Sequence, residues 1–113
     1  MIIAVDFDRT IARTTFPEIH GEVPYAKSSM QWLRDNGHYL IVWTCRRGRD
    51  LLDAVNWMLE HNIPFDRIND ECPSQIKIFG KRDYGKVYAD VYIDDRNAGG
   101  FPGWKEVLKS INN

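Results

Sequence analysis

The sequence predicts an α/β fold with a mostly parallel, doubly wound sheet, and three observations carry that expectation. Short apolar runs alternate with stretches of helical periodicity about a dozen residues long, the pattern of βαβ units. The first two runs, at 2–6 and 39–44, are nearly continuous hydrophobics, as in parallel strands covered on both faces. The 113 residues suffice for one domain and not for two ordinary ones, so 1–113 is read as a single unit. Together these give a single three-layer, Rossmann-like domain.

Each element follows from local chemistry. The first strand runs from Ile2 into Asp6. Residues 9–23 are of mixed polarity and read as a flap. From 24 to 36, Ala26, Met30 and Leu33 form a helical stripe, with Pro24 suited to the first turn and Gly37 to the position just past the end. The second strand closes on Thr44. From 49 to 61, Leu51, Leu52, Val55, Met58 and Leu59 form another stripe, closed by Asn62 and Pro64. A short run at 64–68 gives a third strand. Residues 69–85 read as a substrate loop, because connections this long in a compact domain are usually functional. The fourth strand, 87–94, ends on Asp94 and Asp95. Gly103 then precedes a helix at 104–111 with the stripe Trp104, Val107, Leu108 and Ile111.

Composition narrows the function classes. A net charge of −1 and a pI near 6.3 create no global field toward nucleic acid or anionic membrane, so nucleic acid enters only as a substrate. Cys45 and Cys72 lack CxxC spacing, which favours free thiols in a reducing cytosol over a disulfide or zinc site. The opening apolar run meets Asp6 too soon to be a signal-peptide core, and no apolar stretch approaches the ~20 residues that span a bilayer. The expected location is cytoplasmic.

In open α/β sheets ligands bind beyond the carboxyl ends of the strands. Those ends select Asp6 and Asp8, Thr44, and Asp94 with Asp95: four carboxylates and a hydroxyl on one rim. Asp6 and Asp8 point to the same side if the extended conformation persists through Phe7. Carboxylates so gathered repel unless a cation joins them, and oxygen-only donors suit a hard ion such as Mg²⁺. Arg46 follows Thr44 at a helix start and is expected to touch a phosphate or the substrate beyond it. The four tryptophans read as packing residues, Cys45 as a small packed thiol, and only His20 lies near the expected site.

At this point the chain resembles the haloacid dehalogenase (HAD) superfamily. Its DxDxT motif is matched by Asp6-Phe7-Asp8-Arg9-Thr10, its second motif by the apolar strand ending in Thr44, and its fourth by the strand ending in Asp94-Asp95. The resemblance covers essentially the whole chain and implies a phosphatase. Asp6 would be the nucleophile that forms an aspartyl-phosphate, and Asp8 the general acid and base. Mg²⁺ would be held by Asp6, the Asp8 carbonyl and Asp94, with Asp95 direct or through water. Thr44 would bond a phosphate oxygen, while Arg9, Thr10, Arg46 and Lys81 would meet the substrate. The motif lysine is Lys86, immediately before the fourth strand, with Lys81 second and Lys77 third. Arg9 stands where the family usually has Gly, which the backbone there uses for its freedom.

Neither the 9–23 flap nor the 69–85 loop has residues to spare for a cap. An open site suits a bulky or macromolecular phosphorylated substrate, or a small one if a homo-oligomer partner supplies the lid. The competing expectation is a non-catalytic HAD-like or receiver-like domain that binds metal or phosphate, or is phosphorylated, without turnover.

Overall fold

The computed structural model describes residues 1–70, 72, 74, 87–95 and 99–112. Along the chain run β1 (Ile2–Asp6), β2 (Ala12–Thr15), β3 (Glu18–Glu22), α1 (Ala26–Asp35), β4 (Tyr39–Trp43), α2 (Gly48–Glu60), β5 (Arg67–Ile68), β6 (Val91–Ile93) and α3 (Trp104–Asn112). Four strands form a sheet in the order β5-β4-β1-β6, every pair parallel, and β2 with β3 forms a separate antiparallel hairpin. The fold is the expected Rossmann-like α/β arrangement, and no cap domain interrupts the described residues.

Side-chain alternation divides the core. Ile3 and Val5 of β1 and Leu40 and Val42 of β4 face one cluster, which also holds Ala26, Met30 and Leu33 of α1, Ala54 and Met58 of α2, and Trp104 and Val107 of α3. Ala4 and Ile41 face the opposite side and pack with Cys72 and Val87. The described helices thus all join the first cluster. The chain between Ser74 and Val87, where the expected third layer would begin, lies outside the described residues.

Several boundaries shift, for local reasons. The fourth sheet strand covers only Val91–Ile93 and not 87–94, because the Asp90 carboxylate takes the Ile2 N–H at 2.7 Å where a strand backbone would. The third shrinks to Arg67–Ile68, since Pro64 has no N–H and the Asp66 side chain accepts from Leu40 N–H at 2.8 Å. Tyr25, at φ 67°, delays the start of α1 past Pro24, while Gly37 adopts φ 85° just beyond its end, as expected. In α2 the buried face is Ala54 and Met58, and Trp57 meets the edge of Phe7 with ring centroids 5.9 Å apart. Leu52 and Leu59 of the expected stripe are exposed.

The strand order places β1 between β4 and β6, so the topological switch point falls at its carboxyl end. The register Val5↔Ile93, continued by one residue, sets Asp6 beside Asp94 on strands about 4.8 Å apart.

Candidate active site

A cavity of about 470 Å³ opens at this edge of the sheet, lined by Asp6, Asp8, Arg9, Phe16, Trp43, Thr44, Cys45, Arg46 and Asp94. Residues from three strand ends and from the hairpin turn therefore meet at one place. Asp6, Asp8, Thr44 and Asp94 come together as the strand-end argument requires.

The loop after β1 is tight. The Phe7 carbonyl accepts from the N–H groups of Thr10, Ile11 and Ala12 at 3.3, 3.0 and 3.1 Å, and the Arg9 N–H donates to the Ala12 carbonyl at 2.8 Å. Closing this loop puts Arg9 at φ 63°, the left-handed region that glycine occupies without cost. The same turn carries Thr10 inward. It is fully buried, absent from the cavity wall, and its carbonyl accepts from Trp104 Nε1–H at 2.8 Å. Thr10 is thus a core residue and not the expected substrate contact.

Asp8 and Arg46 form one unit. Arg46 Nε donates to Asp8 Oδ2 at 2.9 Å and a terminal nitrogen to Oδ1 at 2.7 Å, a bidentate fork. The other donors of Arg46 reach the carbonyls of Pro17 and Asp50, each at 3.2 Å. The guanidinium carbon lies 5.1 Å from the Phe7 ring centroid and 5.0 Å from that of Phe16. The expectation that Arg46 reaches a phosphate or the substrate beyond it is corrected: its side chain folds inward onto the half-buried Asp8. Burial pushes the Asp8 carboxyl up, but the side-chain hydrogen bonds of Arg46 and Thr14 and the charges of Arg46 and Arg9 outweigh it and leave Asp8 below its usual range.

Asp6 moves the other way. Burial, then the charges of Asp95, Asp8 and Asp94, push its carboxyl up to about 7, against an opposing hydrogen bond from the Phe7 backbone. Asp95 is paired on one side only. Arg9 Nε donates to Oδ2 at 2.6 Å, while the buried Oδ1 has no hydrogen-bond partner among the described residues. Thr44 is held at its backbone by Asn69, and its hydroxyl oxygen accepts from Arg46 N–H at 3.1 Å.

Mg²⁺ is tested against these residues by donor chemistry and charge. The site carboxylates supply only hard oxygen donors, one buried oxygen lacks a partner, and mutual repulsion already raises Asp6, all of which a divalent cation would relieve. Among the described residues no group of three or more His, Cys, Asp or Glu side chains is drawn together as an ion cage. Arg9 meanwhile takes the charge of Asp95. The donors suit a hard ion in kind, but among the described residues they are not gathered into a cage, and Arg9 stands as the counter-charge of Asp95.

Phe16, Trp43 and Cys45 also line the cavity, although no motif in the sequence points to them. Cys45 is exposed and free, not packed, and Cys72 is free and buried. Trp43 reads as a plain core residue in sequence because it ends an apolar run, yet that end is the rim. His20 pairs with the Thr15 hydroxyl in the hairpin and is not among the lining residues. Lys77, Lys81 and Lys86 lie outside the described residues. Among the described residues no helix is long and apolar enough to cross a membrane.

Fold and site together define a capless α/β protein with an acidic cavity at the switch point of a parallel sheet. The solved structure of a conserved protein coded by a locus of Bacteroides thetaiotaomicron matches it at 35% identity and a TM-score of 0.84, over 99% of this chain and 89% of that one. The chain belongs to the family of that conserved protein. No family model matches the sequence, and no curated protein does.

Proposed function

We propose that the chain is a Mg²⁺-dependent phosphomonoesterase of the haloacid dehalogenase type, working through an aspartyl-phosphate on Asp6. The observation that carries this reading is the convergence of Asp6, Asp8, Thr44 and Asp94 on one cavity at the carboxyl ends of three parallel strands.

Asp8 rests as a carboxylate under Arg46, so it first takes the proton of the substrate's phosphate monoanion. Asp6 attacks phosphorus as its carboxylate; an Oδ–P bond forms and the ester P–O bond breaks. The leaving oxygen takes the proton from Asp8 and departs as an alcohol. Water then attacks phosphorus and gives a proton to Asp8, the Asp6–phosphorus bond breaks, and Asp8 returns that proton to the phosphate product. The Thr44 hydroxyl, whose oxygen accepts from Arg46 N–H, keeps its own hydrogen to donate to a phosphate oxygen. Asp6, the Asp8 carbonyl, Asp94 and Asp95 would hold Mg²⁺, which when bound offsets their charge and stabilises the transferring group.

The test is steady-state hydrolysis of p-nitrophenyl phosphate with Mg²⁺, wild type against Asp6→Asn. Multiple turnovers by the wild type and none by the variant are expected. Uptake of a single phosphoryl group per chain without turnover would instead mark a receiver-like domain, and no reaction at all a binding scaffold.

A further inference from the structure

Arg46 has a side chain only 1% exposed, and its donors are all spent within the protein. One terminal nitrogen bonds Asp8 and Pro17, the other Pro17 and Asp50, and Nε bonds Asp8. A guanidinium offers five N–H donors. With these five contacts made, none is left for a phosphate, so whatever Arg46 contributes passes through a neighbour.

Those neighbours belong to three separate segments. Asp8 lies in the loop after β1, Pro17 in the turn between β2 and β3, and Asp50 in the first turn of α2. The Phe16 ring closes over the guanidinium from the turn, and the Phe7 ring also packs against it. We propose that Arg46 is a positioning residue: it fixes the Asp8 carboxyl for proton transfer, and it does so only while the β2–β3 hairpin lies against the start of α2. The bidentate fork sets both the direction and the rotation of the carboxyl plane, which one ammonium cannot do. Beyond the fork an Asp8 lone pair remains for the travelling proton. This role rests on the phosphohydrolase reading above.

The experiment compares wild type, Arg46→Lys and Arg46→Ala on two esters of nearly the same shape, p-nitrophenyl phosphate and phenyl phosphate, with Mg²⁺. The kcat/KM value reports the steps through departure of the leaving group. The nitrophenolate leaves readily without a proton, whereas phenolate depends on one. Arg46→Lys, which keeps the stem and the charge and is checked for folding by a circular-dichroism melt, is expected to lose about 100-fold on phenyl phosphate and under about tenfold on p-nitrophenyl phosphate. Added methylguanidinium is expected to restore part of the phenyl phosphate activity of Arg46→Ala. Equal losses on both esters, or a loss below about twofold on phenyl phosphate, overturn the positioning role while leaving the hydrolase intact. If the wild type turns over neither ester, the phosphohydrolase reading itself falls and takes the role with it.

Discussion

Asn69 hydrogen-bonds both polar groups of the Thr44 backbone: its Oδ1 accepts the Thr44 N–H at 2.8 Å, and its Nδ2 donates to the Thr44 carbonyl at 3.0 Å. Sheet pairing ends just before, where Asn69 N–H donates to the Val42 carbonyl at 2.9 Å, so the side chain takes over where the ladder stops. Asparagine suits the task because it tolerates the φ of 53° found there. Asn69→Ala is expected to cost about 1–2 kcal/mol in urea unfolding and to lower kcat/KM about tenfold, because the Thr44 hydroxyl loses its support.

Asp6 should make the metal-free protein less stable as pH rises. Its carboxyl titrates near 7 in the folded chain against 3.8 for the ordinary group. The native state therefore holds the extra proton between those values, and the contribution present below 3.8 is lost as pH climbs through about 7. Asp6→Asn keeps a neutral side chain throughout. At pH 8 it is expected to exceed the wild type by about 1–2 kcal/mol, a figure reduced for the water that reaches the cavity, and near pH 4 the gap should close. Urea titrations at the two pH values check this.

The opposite sign is expected two residues on. Asp8 is held below 3.8, so its stabilisation is present above that value and fades as pH falls through the lower, folded one. Asp8→Ala leaves the Arg46 guanidinium buried without its counter-charge and should cost about 3 kcal/mol at pH 7. Thermal melts at pH 7 and in acid, where the deficit should narrow, measure it.

On the proposed reading Arg9 would compete with Mg²⁺ for Asp95. Mg²⁺ added to metal-free protein is expected to raise Tm, and EDTA to abolish hydrolysis until Mg²⁺ is restored. Arg9→Gly releases Asp95 and also relieves the φ of 63°. It should tighten Mg²⁺ binding about threefold to tenfold by isothermal titration calorimetry. An unchanged affinity would remove Asp95 from the ion site.

The sheet and the acidic rim were legible because both follow from local patterns. Continuous apolar runs mark β1 and β4, whose carboxyl ends carry Asp6, Asp8 and Thr44, and a third run marks β6, after which comes Asp94. Partnerships across the chain were not. Arg46 looks outward in sequence because it follows a rim residue, and only the fold shows that Asp8, 38 positions away, is the anion it meets. Asn69 gives no local sign of its grip on Thr44, 25 positions away. Thr10 sits inside a site motif, but the turn that seats Asp8 points it into the core. In α2 the expected stripe holds Met58, which is buried, but also Leu52 and Leu59, which are exposed; the fold turns Ala54 inward beside Met58 and sets Trp57 against Phe7.

The hydrogen bond from Trp104 to the Thr10 carbonyl spans 94 positions and ties α3 to the loop that carries Asp8. A polypeptide severed between Asp95 and Trp104 would keep Asp6, Asp8, Thr44 and Asp94 yet lose this brace. Supplying the helix as a separate peptide is expected to restore that hydrogen bond, with the fluorescence of Trp104 as the signal that two halves have met.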